Sequence, residues 1–250
     1  MAISAARATL TFSCLGHLYV HLCTAFYFVI VLALEVDWNL PYHELIELWT
    51  LGALLVGLAA LPAGLLSDRV GAPAMIVAFF LGMGFCSVGA GLSGSKTELM
   101  WWLAGIGLFA AIYHPVAIPW LVRNAELGKG KALGFNGIFG SMGGAVAGLT
   151  AGVLIDLVNW RAAFIVPGLV TIVTGLALLD FIRRGLIQDA PALSTPNGEK
   201  RSTMARVFAI LMVTMFLAGL IFSATQTSLP KMFAERSLAL IGESALGVGV

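Results

Sequence analysis

The sequence predicts an all-α membrane protein: six transmembrane helices, then a polar linker and a seventh transmembrane helix. Three observations carry this expectation. Hydrophobic residues make up 59% of the chain and charged residues 11%, with a mean hydropathy of +0.95, so too little polar material exists to cover a water-soluble core. Apolar runs of roughly 20 residues, the length that crosses a ~30 Å hydrocarbon layer, recur along the chain. None shows the alternating polarity of a barrel strand, so each run must satisfy its backbone internally as a helix.

Taken in order, the first span covers residues 10 to 34. It is longer than a signal-peptide core and has no small-residue cleavage site, so it reads as a retained helix. It carries His17 and His21, four residues apart and on one helix face. The second span, 45 to 66, runs into GLLSDRVG, residues 64–71, and the third covers 72 to 92. The fourth, 99 to 120, contains YHPVAIP, where Pro115 and Pro119 withhold helix hydrogen bonds and predict a kink that could serve as a hinge. Trp101, Trp102 and Trp120 read as interfacial anchors at its two ends. The fifth, 132 to 155, places Gly140, Gly144, Gly148 and Gly152 nearly along one face. That stripe lets a neighbouring backbone approach closely, either as static packing or as a surface that slides or bends during a conformational cycle. The sixth span covers 163 to 182.

A Pro-, Gly- and charge-rich stretch, QDAPALSTPNGEKRST at residues 188–203, then reads as a linker. The seventh span, 207 to 227, ends in Thr225, Gln226 and Thr227, polar groups that suit either a cavity or a helix terminus. LPKMFAERSLALIGES after it reads as an external loop, and ALGVGV as the first turn of an eighth span cut short at residue 250. The expected division is a bundle over 1–187, a cytoplasmic central loop over 188–205, and an incomplete second bundle over 206–250.

Charge sets the orientation. With the N-terminus inside, the inner segments hold Arg7, Arg69, Arg123, Lys129, Lys131, Arg183, Arg184, Lys200, Arg201 and Arg206, while the outer loops hold Lys96, Arg161, Lys231 and Arg236. Basic residues concentrate in cytoplasmic loops, which favours a cytoplasmic N-terminus. The expected location is a multi-pass integral protein of the bacterial inner membrane. The net charge of +1 offers no phosphate-tracking surface for nucleic acid. Cys14, Cys23 and Cys86 lie in apolar runs without metal-type spacing and read as small core residues. No Walker-type glycine loop, paired carboxylates or nucleophile elbow occurs, so neither an ATP-driven pump nor an enzyme is expected, and no cofactor is implied.

An internal match joins GLLSDRV to GVLIDLV: Gly64, Leu66, Asp68 and Val70 align with Gly152, Leu154, Asp156 and Val158, each 88 residues on. An odd number of spans separates the copies, so they face opposite sides, the symmetry of many secondary transporters.

GLLSDRVG also resembles the Gly-x-Leu-x-Asp-Arg-x-Gly loop between helices two and three of major facilitator superfamily transporters. GKGKALGFNGIFGSMGGAVAGLTAG looks like that family's glycine-rich fifth helix, and NWRAAF like the turn before its sixth. Gly16-His17 and Tyr113-His114-Pro115 look most like the branch containing fosmidomycin-resistance-type exporters. The resemblance implies that Gly64, Asp68, Arg69 and Gly71 form a conformational lock at the cytoplasmic face; without it, Asp68-Arg69 would simply anchor a loop at the headgroups. It also implies the fold, a six-helix N-terminal bundle built as an inverted three-plus-three repeat, followed by a seventh helix that opens a second, truncated bundle that completes the cavity. Some features depart from the pattern: Ala72 and Pro73 replace the trailing basic residues, helix four has no arginine before its Tyr-His-Pro, and Leu149 stands where the antiporter proline falls.

Ionisable groups inside a span are costly and usually face a cavity. Counting ~1.5 Å per residue puts His21 and His114 at similar depth, so His17, His21 and His114, with Gln226, are the candidates for a proton or substrate site. Each histidine could instead only hydrogen-bond a neighbouring backbone. HxxxH would need a third ligand for a metal, and the sequence identifies none, so no metal site is assigned. The expected activity is alternating-access transport of a small solute, as proton-coupled export of a drug or metabolite. The alternatives are import, or a half-transporter acting as a non-translocating membrane partner. Lipid, solute, protons and a C-terminal bundle are the expected partners.

Overall fold

Among the described residues every regular element is a helix, and these group into seven rods. The computed structural model describes residues 4–126, 128–187 and 201–241, the last stretch with side chains over 205–236. The first rod is α1 (Ala5–Ala25) followed by α2 (Tyr27–Trp38). The second is α3 (Tyr42–Glu47), α4 (Thr50–Leu58) and α5 (Ala60–Val70), and the third is α6 (Ala72–Leu92). The fourth is α7 (Lys96–Ala110) with α8 (Tyr113–Arg123), the fifth α9 (Lys129–Leu157), the sixth α10 (Trp160–Arg183) and the seventh α11 (Arg201–Ile241). Six are long and apolar enough to cross a membrane, seven if the bent second rod counts as one.

Local chemistry explains the boundaries. Ser4, Ser95 and Asn159 cap α1, α7 and α10 by accepting from the backbone N–H groups of Arg7, Glu98 and Ala162, which satisfies donors a helix start leaves open. Gly71 has φ +92°, a conformation that suits glycine, and it turns the chain sharply from α5 into α6. Two rods break one turn before a proline. Pro62 has no N–H for the Leu58 carbonyl, and the second rod bends by 48° at Ala59. Pro115 likewise deprives the Ala111 carbonyl, and the fourth rod is interrupted at Ala111 and Ile112. The bend in the second rod is not part of the sequence reading, which treats 45 to 66 as one span.

The closest packing joins the third and sixth rods, the first and fifth, the third and fourth, and the second and fourth. Exchanging the halves of the bundle maps the third–sixth pair onto itself and the first–fifth pair onto the second–fourth, as an inverted three-plus-three repeat requires. The third–fourth contact has only a light counterpart between the sixth and first rods. At the symmetric centre, backbone meets backbone: a Cβ on Gly84 would sit 2.6 Å from the Gly168 carbonyl oxygen, and one on Gly168 2.9 Å from that of Gly84. Beside them Ser87 Oγ donates to the Phe164 carbonyl at 2.8 Å. Small residues let helices approach without a hydrophobic drive, which lipid does not supply.

Polar contacts gather on the rim that holds the α2–α3, α6–α7 and α9–α10 connections. There Trp160 Nε1 donates to Asp37 at 2.9 Å, and the Arg161 guanidinium donates to the Gly91 and Ser93 carbonyls while lying 4.3 Å over the Trp160 ring. The seventh rod joins this rim. Lys231 Nζ pairs with Glu35 at 2.7 Å, and Tyr42 Oη donates to the Thr227 carbonyl at 2.7 Å. Further along, residues 205–221 of α11 stand exposed.

Three sequence expectations are corrected here. The stretch from Leu229 does not form an external loop: α11 continues to Ile241, and it begins at Arg201, inside the residues expected as linker. Lys231, counted with the outer loops, is held by Glu35, and Pro230 is accommodated inside the helix. Residues 188–200 and the expected start of an eighth span lie outside the described residues. Trp120 is not an interfacial anchor but fully buried, whereas Trp101 is exposed. The glycine stripe does not present one uniform face to a neighbouring backbone. Gly143, beside the stripe, abuts the backbone of Leu18, Gly140 faces the His17 ring, and Gly144 faces open space.

Candidate functional site

His17 and His21 project from one face of α1, as their spacing requires, and His114 joins them from the first turn of α8. The interruption at Ala111 and Ile112 precedes that turn directly. Ring centroids lie 5.0 Å apart for His17 and His21, 5.3 Å for His17 and His114, and 5.6 Å for His21 and His114. One ring nitrogen from each falls within 4.8 Å of the others. His17 and His21 are half-buried and His114 is exposed.

The two short motifs that carry the histidines fit into one another. A Cβ on Gly16 would lie 2.7 Å from Tyr113 Cε2, so the missing side chain admits the buried Tyr113 ring. That ring stacks on His17 at 5.1 Å and 23°. Gly140 does the same from α9: a Cβ there would come within 2.6 Å of His17 Cε1 and Nε2. His17 Nδ1–H donates to the Asn136 carbonyl at 2.8 Å, which leaves Nε2 as the ring's lone-pair nitrogen. Asn136 Nδ2 donates to Tyr113 Oη at 2.8 Å, and Tyr113 Oη donates to the Ser13 carbonyl at 2.7 Å. A buried polar chain of this kind rigidifies when every member is paired.

Beside the cluster is a cavity of about 520 Å³, lined by His17, His21, Gly137, Gly140, Gly144 and Gln226 among others. Gln226 therefore belongs with the histidines, contributed by α11. Pro230 withholds a helical donor from the Gln226 carbonyl, one turn back. Gly148 borders a smaller adjoining cavity of about 160 Å³ with Phe28 and Pro230. Gly152 is buried in α9 away from both. Gly64 packs against Pro115, 3.5 Å from where its Cβ would be. Asp68 and Arg69 are exposed in the last turn of α5, with Gly71 ending it. Pro119 lies inside α8, exposed, and the chain is interrupted before Pro115 rather than at Pro119.

Charges at this spacing repel by about 3 kcal/mol at an effective dielectric of 20. The arrangement therefore disfavours more than one positive charge among the three rings. Sequence reasoning overlooked Asn136 and Tyr113 as its supports. The available signal was Asn136 itself, an amide inside an apolar run one helical turn before Gly140.

A sequence profile described as Major Facilitator Superfamily matches residues 13–249. The chain is similar to the tetracenomycin C resistance and export protein of Streptomyces glaucescens, 31% identical over 142 residues, covering 54% of this chain and 26% of that protein. It is also similar to a putative niacin/nicotinamide transporter of Bacillus subtilis (strain 168), 28% identical over 188 residues, covering 72% of this chain and 44% of that one. The matches therefore span less than half the length of either relative. Among solved structures, a bacterial homologue of the human lysosomal transporter Spinster, in an inward-facing and unoccupied conformation, superposes with a TM-score of 0.74 at 16% identity. That match covers 100% of this chain and 59% of the other, and at this identity it speaks for the fold alone.

Proposed function

The chain belongs to the Major Facilitator Superfamily, whose members are multi-pass membrane transporters, and from that premise we propose that it moves a small organic solute by alternating access, as proton-coupled export. The observation that carries the proposal is the cavity between α1, α9 and α11, with three imidazoles at its side and Gln226 on its wall. Each imidazole has a lone pair that can take up and release a proton, so the cluster suits a group that carries one proton per cycle. A cavity walled mainly by glycine and small side chains, without lysine or arginine, fits an uncharged or weakly charged solute better than a strong anion.

Supporting details extend the reading. The tie of Lys231 to Glu35 and of Thr227 to Tyr42 closes one rim, while α11 stands apart towards the other, an arrangement that suits one end of an alternating-access cycle. With the N-terminus cytoplasmic, in a bacterial inner membrane, the closed rim is the outer one. Asp68 and Arg69 then lie at the cytoplasmic face, where they would lock against a second bundle with Gly64 and Gly71 shaping the turn. In this scheme residues 1–187 form the first bundle, 188–205 the connection, and α11 the opening of the second bundle, whose remaining helices would cover its exposed face. Gly16-His17 and Tyr113-His114-Pro115 support placement beside the fosmidomycin-resistance-type exporters. The export protein among the relatives favours outward movement. Import is the second reading, favoured by the longer match to the putative niacin/nicotinamide transporter.

The test is solute flux in proteoliposomes under an imposed pH gradient, with a tetracenomycin-type polyketide and nicotinamide as probes. Flux that follows the gradient and falls at least tenfold in His21→Ala and His114→Ala is expected. Flux indifferent to both the gradient and the substitutions would overturn the coupling.

A further inference from the structure

We infer that His17, His21 and His114 form a three-nitrogen site for one divalent late first-row metal ion of the zinc, cobalt or nickel kind, with a coordination position left open to the cavity. The inference deepens the proposed function and rests on it only for the cavity's place on the transport path. Three features of the structure lead to it.

The first is convergence. One nitrogen from each ring lies within 4.8 Å of the other two. Bonds of ~2.0–2.1 Å in a tetrahedral arrangement would set the nitrogens about 3.4 Å apart, so side-chain rotations closing each pair by little more than an ångström would complete the site. The second is preparation of the ligand. His17 Nδ1–H donates to the Asn136 carbonyl at 2.8 Å. Metal-bound histidines are held in this way, with the second nitrogen fixed by a carbonyl and the first left bare. Gly140 has no Cβ to cover that bare Nε2, and Tyr113 stacked on the ring limits its rotation. The third is the donor set. The cluster offers imidazole and no carboxylate, which suits zinc, nickel, cobalt or copper and not magnesium, calcium or manganese. His17 and His21 also line the cavity with Gln226, so the fourth position faces space where water or a solute oxygen can enter.

Three neutral imidazoles can hold the charge of a divalent ion that three protonated ones would repel. A metal ion and a proton compete for the same lone pairs, so each metal bound to a singly protonated cluster expels one proton.

The experiment is a titration of the tag-free full chain in detergent with cobalt(II), read by the visible absorption of a nitrogen-ligated ion, followed by displacement with zinc. Saturable one-to-one binding is expected. It should weaken by more than ~100-fold in His114→Ala and in His21→Ala, beyond the ~10–100-fold cost of losing an outer-shell partner. His43→Ala, which changes the one histidine outside the cluster, should leave it unchanged. His114 is exposed, so its substitution should preserve the fold, verified by circular dichroism and by gel filtration. Zinc should also raise the melting temperature of the unsubstituted protein and not of His114→Ala. Absence of a saturable cobalt spectrum, or affinity in His114→Ala within threefold of the original, would overturn the inference. If cobalt fails to bind while both substitutions still abolish flux, the metal site is wrong and the transport reading stands. If cobalt binds and flux ignores the substitutions, the opposite holds.

Discussion

Adding one methyl group at Gly140 separates the two roles that the glycines of α9 could play. In Gly140→Ala the new Cβ would lie 2.6 Å from His17 Cε1 and Nε2, well inside van der Waals contact, so the ring must move by about an ångström. It has little freedom to do so. Tyr113 stacks on it at 5.1 Å, and Nδ1 is tied to the Asn136 carbonyl at 2.8 Å. A shift of that size stretches the hydrogen bond beyond a useful length, at about 1 kcal/mol, and overpacking adds about 1–3 kcal/mol. The usual gain from replacing glycine by alanine in a helix does not offset this, because a membrane helix stays helical when its neighbours separate. The net expectation is a loss of about 2–4 kcal/mol, which corresponds to a melting temperature roughly 4–16 °C lower on the scale of soluble proteins this size. Gly144→Ala, one turn along, meets nothing within 4 Å and should melt like the original. Thermal unfolding of both variants in detergent, followed by circular dichroism, measures the contrast. Should the two variants melt alike, the glycines would be acting as a uniform packing stripe, and the placement of His17 against Gly140 would be refuted.

Two further substitutions test the surroundings of the site. Tyr113→Phe removes the hydroxyl that accepts from Asn136 and donates to Ser13, leaving an N–H of the buried Asn136 amide without its acceptor, and should lower stability by about 1–3 kcal/mol; unchanged melting would mean that the polar chain carries no energy. A double-mutant cycle of Glu35→Gln and Lys231→Met should show a coupling of about 1 kcal/mol between α2 and α11, whereas effects that add to within ~0.3 kcal/mol would show the pair to be incidental.

The spans were legible in the sequence because lipid forces each segment to satisfy its own backbone, so a helix announces itself by length and apolarity alone. Their ends were less so. The apolar run of the seventh span ends at 227 and Lys231 counts with the outer loops, whereas Glu35, almost two hundred residues earlier, pairs with that lysine. Trp120 looked like an anchor because it falls at the end of its apolar run, yet the neighbouring rods enclose it completely. Of the site, the three histidines and Gln226 were found by the cost of placing polar groups in lipid. Asn136 and Tyr113, which hold His17, were not, since an amide and a phenol among apolar residues reveal nothing about their partners.

By itself, then, the chain dictated a set of membrane-crossing helices, an internal two-fold repeat and a shortlist of polar residues within them. All three are properties of single segments or of segments compared with each other. Only the tertiary structure decided that Gly16 receives Tyr113, that Gly140 receives His17, and that the imidazoles of α1 and α8 converge beside a cavity that α11 helps to line. The physical reason is that convergence depends on the rotation of each helix about its axis. That rotation is set by close contacts between residues roughly a hundred positions apart, for which no local pattern exists.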